Sequence, residues 1–434
     1  MTSLILPALL TLTEALTQAG VSAPEIQISR EGVAAAEARV SSATGRMLPK
    51  LTAAGGVQYW DKEILLTLDI PGFELPPGSS PVIREQLTAS ATLTLSQPLT
   101  PLYALGKARA AEQAGVAVQR HEVARAELDT ASRVVEAYLT ALKARALAEV
   151  AETAVASVDA HLKQAQALEA GGVLSKVDLL RLEAARDGAR QGLLRARAGA
   201  EIAARSIVLA TGAAADEPPA LSDELPAEPP APAWDRKAML ALATARRPET
   251  ARASAQARAA RAGASAATAQ LIPTVAAVAQ LQHNEGSGSL SPKDAWFVGA
   301  QVTWDVWDWG TVWGASKEAK AHARAAEIGV RAQKDVVAFD VDRRLLEARA
   351  AHESLAVAKS GLTAAEEASR IQAVRFEQGA ATTTDVLDAD VALTQARSSF
   401  ATARFDYYLA VAGVARAVGV VPGPAWLQTG KEGL

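Results

Sequence analysis

Residues 379–397 read GAATTTDVLDADVALTQAR, and residues 172–190 read GVLSKVDLLRLEAARDGAR. Set side by side, Gly172 falls on Gly379, Ser175 on Thr382, Asp178 on Asp385, Leu180 on Leu387 and Arg190 on Arg397, every pair offset by 207 positions. In both stretches a long helical pattern stops at glycine, turns through small polar residues and restarts at Ser-x-x-Asp or Thr-x-x-Asp. At such a start the hydroxyl accepts from a first-turn N–H, and the carboxylate sits at the positive end of the new helix. One copy alone reads as an ordinary helical corner. Two copies in register indicate an internal duplication and two helical hairpins.

The duplication extends outward. Pro24 and Pro248, each followed by Glu, and Pro49 and Pro273 are offset by 224. The change from 224 to 207 means that the first copy holds 17 extra residues after Pro49. They fall in a strand-like region. Leu87, Ala89, Ala91, Leu93 and Leu95 alternate with Thr88, Ser90, Thr92, Thr94 and Ser96; in the second copy Trp296, Val298, Ala300, Val302 and Trp304 alternate with Phe297, Gly299, Gln301, Thr303 and Asp305. This period of two predicts half-exposed strands. The predicted strands cover about 51–60, 86–97, 274–282 and 295–306. Their connecting loops run from Asp61 to about Arg84 and from His283 to Asp294, and the longer loop accounts for the extra residues.

Each strand pair leads into a helical run, from about Pro101 to Ala170 and from about Trp313 to Gln378. Val135, Leu139, Leu142, Ala146 and Val150 mark an apolar stripe along the first. The return helices end near Gly212 and Gly419. The predicted organisation is a first repeat at 1–212 with its hairpin tip at 171–178, an acidic, proline-rich connector at 213–234, and a second repeat at 235–434 with its tip at 378–385.

Composition narrows the function. The 434 residues are 49% hydrophobic but only 4% aromatic, so alanine carries much of the apolar content, and alanine-rich helices approach closely. A net charge of −4 with both signs interspersed gives no basic footprint for nucleic acid. With no cysteine there is no disulfide, thiolate metal site or lipidated N-terminal Cys. Apolar Leu4 to Leu10 lacks a preceding Lys or Arg, so it makes a weak secretory signal. His121, His161, His283, His322 and His352 are scattered, and His121-Glu122 has no second histidine at zinc-protease spacing. Neither a phosphate-binding loop nor a nucleophile elbow is found, so no enzyme, cofactor or metal is expected.

Four strands cannot close a barrel, and open strand edges pair with other chains. A strand of about 10 residues tilted by ~45° spans ~23 Å, near the apolar band of an outer-membrane barrel. Trp304, Trp307, Trp309 and Trp313 cluster where the last strand returns to helix, as in a membrane-interface belt.

This order of landmarks resembles the TolC-type outer-membrane efflux protein family, or outer membrane factors, over nearly the whole chain. The resemblance is carried by the early Pro-Glu pairs, the proline before each first strand, the strand ends LTLSQPL and VTWDVWDWG, and the tips GVLSKVDLL and GAATTTDVLDA. It implies a mainly α fold with a small β part: a homotrimer sharing a 12-stranded transmembrane β-barrel, continued by an α-helical, coiled-coil tunnel. The implied location is the outer membrane with the tunnel in the periplasm. The implied function is the exit duct of a tripartite efflux or type I secretion system, passively conducting substrate, with a periplasmic adaptor (membrane fusion protein) and an inner-membrane RND or ABC pump as partners.

By the same resemblance Asp385 and Asp388 form carboxylate rings at the pore constriction. Gly172, Val173, Leu174 and Ser175, with Gly379, Ala380, Ala381 and Thr382, are adaptor-docking tips. Val173 and Leu174 are expected to be exposed. Asp178 matches a gate residue whose usual Tyr and Arg partners are replaced here by Phe376 and Ala381. The hydrogen-bonded gate of the family therefore does not transfer, and other contacts must hold a closed state. The alternatives are a periplasmic adaptor, which has a single hairpin, and a soluble coiled-coil scaffold, which explains neither the alternating strands nor the Trp cluster.

Overall fold

The computed structural model describes residues 9–66, 80–213, 219–222, 225–226, 229, 231, 233–288 and 291–429. In chain order the elements are β1 (Leu9–Leu10), α1 (Leu12–Ser22), α2 (Pro24–Gly45), β2 (Lys50–Tyr59), β3 (Ile64–Leu65), β4 (Val82–Arg84), β5 (Leu87–Pro98), α3 (Pro101–Ala170), α4 (Lys176–Thr211), β6 (Ala220–Leu221), α5 (Arg236–Arg246), α6 (Pro248–Ala269), β7 (Thr274–Glu285), β8 (Asp294–Thr303), α7 (Thr311–Glu377), α8 (Thr383–Val418) and α9 (Pro424–Thr429). The apolar stretch Leu4 to Leu10, the loop 61–84 and the connector 213–234 lie partly outside the described residues. No helix among the described residues is long and apolar enough to cross a membrane.

The chain divides into two compact units. One, residues 33–119 and 253–330, contains an antiparallel sheet ordered β2-β5-β7-β8. Its register aligns side chains by type. Ala53, Leu93, Leu281 and Trp296 form one cross-strand row, and Leu51, Leu95, Ala279 and Val298 the next. On the opposite face Thr52, Thr94, Gln280 and Phe297 align, as do Ala54, Thr92, Gln282 and Ala295. Because the side-chain period is two, the alternation in each strand puts one face in aliphatic and indole groups and enriches the other in Thr and Gln.

The strand ends depart from the sequence reading. β7 runs to Glu285 and β8 begins at Asp294, so the outer residues of the expected loop 283–294 belong to strands. His283 and Asp294 pair across the end of the ladder, Nδ1 2.7 Å from Oδ1, and Lys293, just before β8, donates from Nζ to Glu285 Oε2 at 2.8 Å. Opposite charges facing across strands support pairing in residues whose composition suggests a loop. The longer loop contains a small extra pair, β3 with β4.

The other unit comprises the chain up to Gly32, residues 120–252 and the chain from Arg331. Its core packs Val135, Tyr138, Leu139 and Leu142 of α3 with Tyr407, Tyr408, Val411 and Val414 of α8, Val341 of α7 and Trp426 of α9. Full burial of each aliphatic side chain contributes about 1.5–3 kcal/mol. The buried phenols are satisfied, Tyr138 donating to Leu10 O at 2.9 Å and Tyr408 to Pro226 O at 2.8 Å. α4 and α8 end in the same way, at Gly212 (φ 66) and Gly419 (φ 79). A Cβ there would lie 2.8 Å from Ser22 O in the first case and 2.9 Å from Arg246 C in the second, so both the left-handed turn and the close backbone approach require glycine.

Candidate functional site at the hairpin tips

Each tip turns at a glycine in the left-handed region, Gly172 at φ 75 and Gly379 at φ 71. The helices restart at the hydroxyls: Ser175 Oγ accepts from Asp178 N at 3.3 Å and Thr382 Oγ1 from Asp385 N at 3.2 Å. The second tip closes a full capping box, with Asp385 Oδ2 accepting from Thr382 N at 2.8 Å and Thr382 Oγ1 at 2.7 Å. These donors hold the Asp385 carboxyl below the usual carboxylate range. Asp388 is exposed one turn further along α8 and takes no part in that cap. Ala380 is exposed, and its carbonyl accepts from Arg375 at 3.2 Å.

Val173 is 72% exposed, whereas Leu174 is not the exposed residue expected. It packs half-buried against Leu162, Ala165, Leu179 and Leu182, because the turn folds it back over the start of α4. Leu387 of the second hairpin joins the same cluster.

The three gate-region residues are not brought together by a polar link. Asp178 bonds within its own helix start, accepting from Ser175 Oγ at 2.6 Å and from Arg181 at 3.4 Å. Ala381 is half-buried. Phe376 is buried and meets the His161 ring edge-on, with centroids 6.3 Å apart.

Near the tips, the hairpins are linked through a residue that the sequence reading missed. Asp390 of α8 is 8% exposed. Its Oδ2 accepts from Ser157 Oγ at 2.9 Å and stands 3.1 Å from His161 Nε2, both on α3, while its Oδ1 accepts from Ser369 Oγ of α7 at 3.2 Å. Burial pushes this carboxyl up, but the His161, Ser157 and Ser369 contacts outweigh it and hold the pKa below the ordinary value. The available signal was the spacing Ser157-x-x-x-His161, which puts hydroxyl and imidazole on one helical face.

Higher in the same unit, the Pro-Glu landmarks become ion pairs. Glu25 accepts from Arg133 at 2.9 Å. Buried Arg247 grips Glu249 through two 3.0 Å bonds and donates to Asp340 at 2.7 Å, and Arg416 bridges Glu249 at 2.7 Å and Asp129 at 2.6 Å. Burial alone would raise the Glu249 carboxyl, but Arg247 and Arg416 bring it down to about 2.

In the sheet-bearing unit, Trp304, Trp307, Trp309 and Trp313 are all exposed between β8 and the first turn of α7. Asp308 organises their turn, its carboxylate accepting from Gly310 N at 2.9 Å and Val312 N at 2.8 Å. Trp309 is held at φ 57, rare for a bulky residue, and stacks edge-on with Trp307.

The family profile described as outer membrane efflux protein matches residues 15–213 and 239–420. The outer membrane efflux protein BepC of Brucella suis biovar 1 (strain 1330) is 24% identical over 414 residues, covering 94% of this chain and 85% of BepC. Among solved structures, CusC superposes with a TM-score of 0.79 at 14% identity, covering 94% of this chain and 92% of that one. The Campylobacter jejuni CmeC outer membrane channel gives 0.78 at 15% identity, with 94% and 85% covered. At these identities the structural likeness establishes the fold.

Proposed function

The chain belongs to the outer membrane efflux protein family, and on that premise we propose that it is an outer-membrane exit duct. In this reading three copies each contribute β2-β5-β7-β8 to a closed 12-stranded barrel, and the helical hairpins continue it as a tunnel in the periplasm. A periplasmic adaptor meets the tips and couples the duct to an inner-membrane pump that supplies the energy. The duct itself conducts passively.

The observation that carries the proposal is the two-faced sheet whose edges at β2 and β8 are open among the described residues. A sheet that ends in unpaired backbone groups while presenting Leu, Val and Trp on one face is unsatisfied as a monomer in water. Closing it with further copies pairs both edges, turns the apolar face to lipid and the Thr and Gln face to a wet lumen. Strands of 10 to 12 residues tilted by ~45° span ~24–29 Å, enough for the apolar band. The exposed indoles beside the sheet support a belt at the membrane–water interface.

At the tips, Asp385 and Asp388 of three copies form rings that favour cations at the constriction. Val173, with Gly172, Ser175, Gly379, Ala380, Ala381 and Thr382, presents the adaptor-facing surface. The closed state is held inside each protomer by Asp390 with its donors, by Phe376 against His161 and by Leu387 in the apolar cluster, in place of a Tyr and Arg gate.

Extraction tests the proposal. The protein should leave membranes only with detergent and migrate as a heat-labile species of roughly three times its 45.1 kDa chain mass. A detergent-independent monomer would contradict it.

A further inference from the structure

The sheet-bearing unit has a groove where α6 ends and α7 begins, with a volume of about 620 Å³. It is lined by Tyr103 of α3, Arg261, Ser265 and Thr268 of α6, and Lys320 and Arg324 of α7. Arg261 is paired with Glu327. Lys320 and Arg324 are exposed and have no acidic partner among the described residues. The remaining wall is alanine and isoleucine. The Ser265 and Thr268 hydroxyls donate to Arg261 O and Ala264 O, so it is the two unpaired cations and the Tyr103 phenol, beside an apolar floor, that match an anionic head joined to an apolar body.

The position of the groove names the class of ligand. Trp313, Lys317, Lys320 and Arg324 follow one another at intervals of four, three and four, so they share one face of α7. Lys317 Nζ sits 3.5 Å above the Trp313 ring. On α3 the start repeats the pattern, with Lys107 Nζ 5.5 Å from the Tyr103 ring. If Trp313 lies at the membrane–water interface, the same face carries the cations into the headgroup layer. Helical side chains lean toward the helix N-terminus, which here is toward the belt. Lys320 starts about 10 Å beyond Trp313 along the axis, within reach of that layer once its side chain extends back.

We propose that this groove is a headgroup site for an anionic phospholipid in the leaflet on the helical side of the membrane, with Lys320 and Arg324 as its principal phosphate contacts. The site rests on the membrane reading of the sheet given above.

The test is native mass spectrometry of the detergent-extracted wild-type oligomer titrated with phosphatidylglycerol or phosphatidylethanolamine, with insertion into vesicles of each lipid measured in parallel. The wild type should bind phosphatidylglycerol more tightly by on the order of tenfold, since each basic side chain near an anionic lipid surface contributes attraction of that scale. Lys320→Gln combined with Arg324→Gln should abolish the preference without changing insertion. Lys320→Arg combined with Arg324→Lys should keep it, which separates loss of charge from loss of fold. Equal binding of the two lipids by the wild type, or a preference that survives in the neutral variant, would overturn the site alone. Inorganic phosphate displacing the lipid at comparable concentration would make it a free-anion site and overturn the lipid assignment. Failure of the wild type to insert into either vesicle would overturn the membrane reading and the site with it.

Discussion

His161 Nε2 of α3 and Asp390 Oδ2 of α8 stand 3.1 Å apart, and through them the first helical hairpin is tied to the second near the tips. Ser157 and Ser369 complete the shell, so one buried carboxylate collects donors from α3 and α7. Asp178, Asp385 and Arg181, closer to the turns, bond within their own hairpins.

Asp390→Leu should loosen the tips. It leaves three polar groups without their acceptor at a cost of about 2–4 kcal/mol. The expected readout is a larger single-channel conductance at neutral pH, with Asp390→Asn intermediate because it still accepts from one or two donors. Wild-type conductance in Asp390→Leu would remove the residue from any role in holding the duct closed.

Glu249 links stability to pH. Its carboxyl titrates near 2 in the folded protein against 4.5 as its ordinary value, so its contribution is present above the ordinary value and is lost as pH falls toward 2. A shift of this size corresponds to about 3 kcal/mol. Thermal unfolding of the wild type should therefore weaken between about pH 4.5 and 2, and Glu249→Gln should flatten much of that slope while destabilising the protein at pH 7. An unchanged slope would mean that the Arg247 and Arg416 pairs do not operate in solution.

Asp388→Asn isolates charge from capping. Asp385 closes the cap at the start of α8, whereas Asp388 does not, so Asp388→Asn should reduce cation selectivity without lowering the unfolding temperature. Asp385→Ala should reduce selectivity and also cost about 1 kcal/mol through loss of the cap. Unaltered selectivity with both carboxylates removed would rule out the ring.

Val173 and Leu174 should separate docking from packing. Val173→Glu is expected to block export while leaving the oligomer and its melting intact, because the side chain is exposed at the turn. Leu174→Asp should instead destabilise the tip by placing a charge against Leu162 and Leu179. Normal export by Val173→Glu would count against the tip as a docking surface.

What was legible in the sequence was periodic or local. Alternation over residues 87–96 and 296–305 marked two strands, although β8 stops at Thr303 and leaves Trp304 and Asp305 outside it, and the hydroxyls Ser175 and Thr382 sit where the sequence suggested helix starts. What was not legible depends on partners far away in the chain. His283 and Glu285 look like loop residues until the register sets Asp294 beside the first and the adjoining turn brings Lys293 to the second. Asp390 reads as another solvated acid of a helix until residues 157, 161 and 369 are brought around it. Leu174 reads as exposed because a tight turn conceals which way its side chain folds. β1, β3 and β6, at two residues each, are too short to show any period.

Single-channel recording of the detergent-extracted protein in a planar bilayer, with the oligomer's mass measured alongside, decides whether this chain forms a duct through a membrane. A duct should appear as a trimer giving a small, cation-selective conductance, the pore narrowed at its Asp-lined tips. A soluble monomer that never inserts into the bilayer would contradict it.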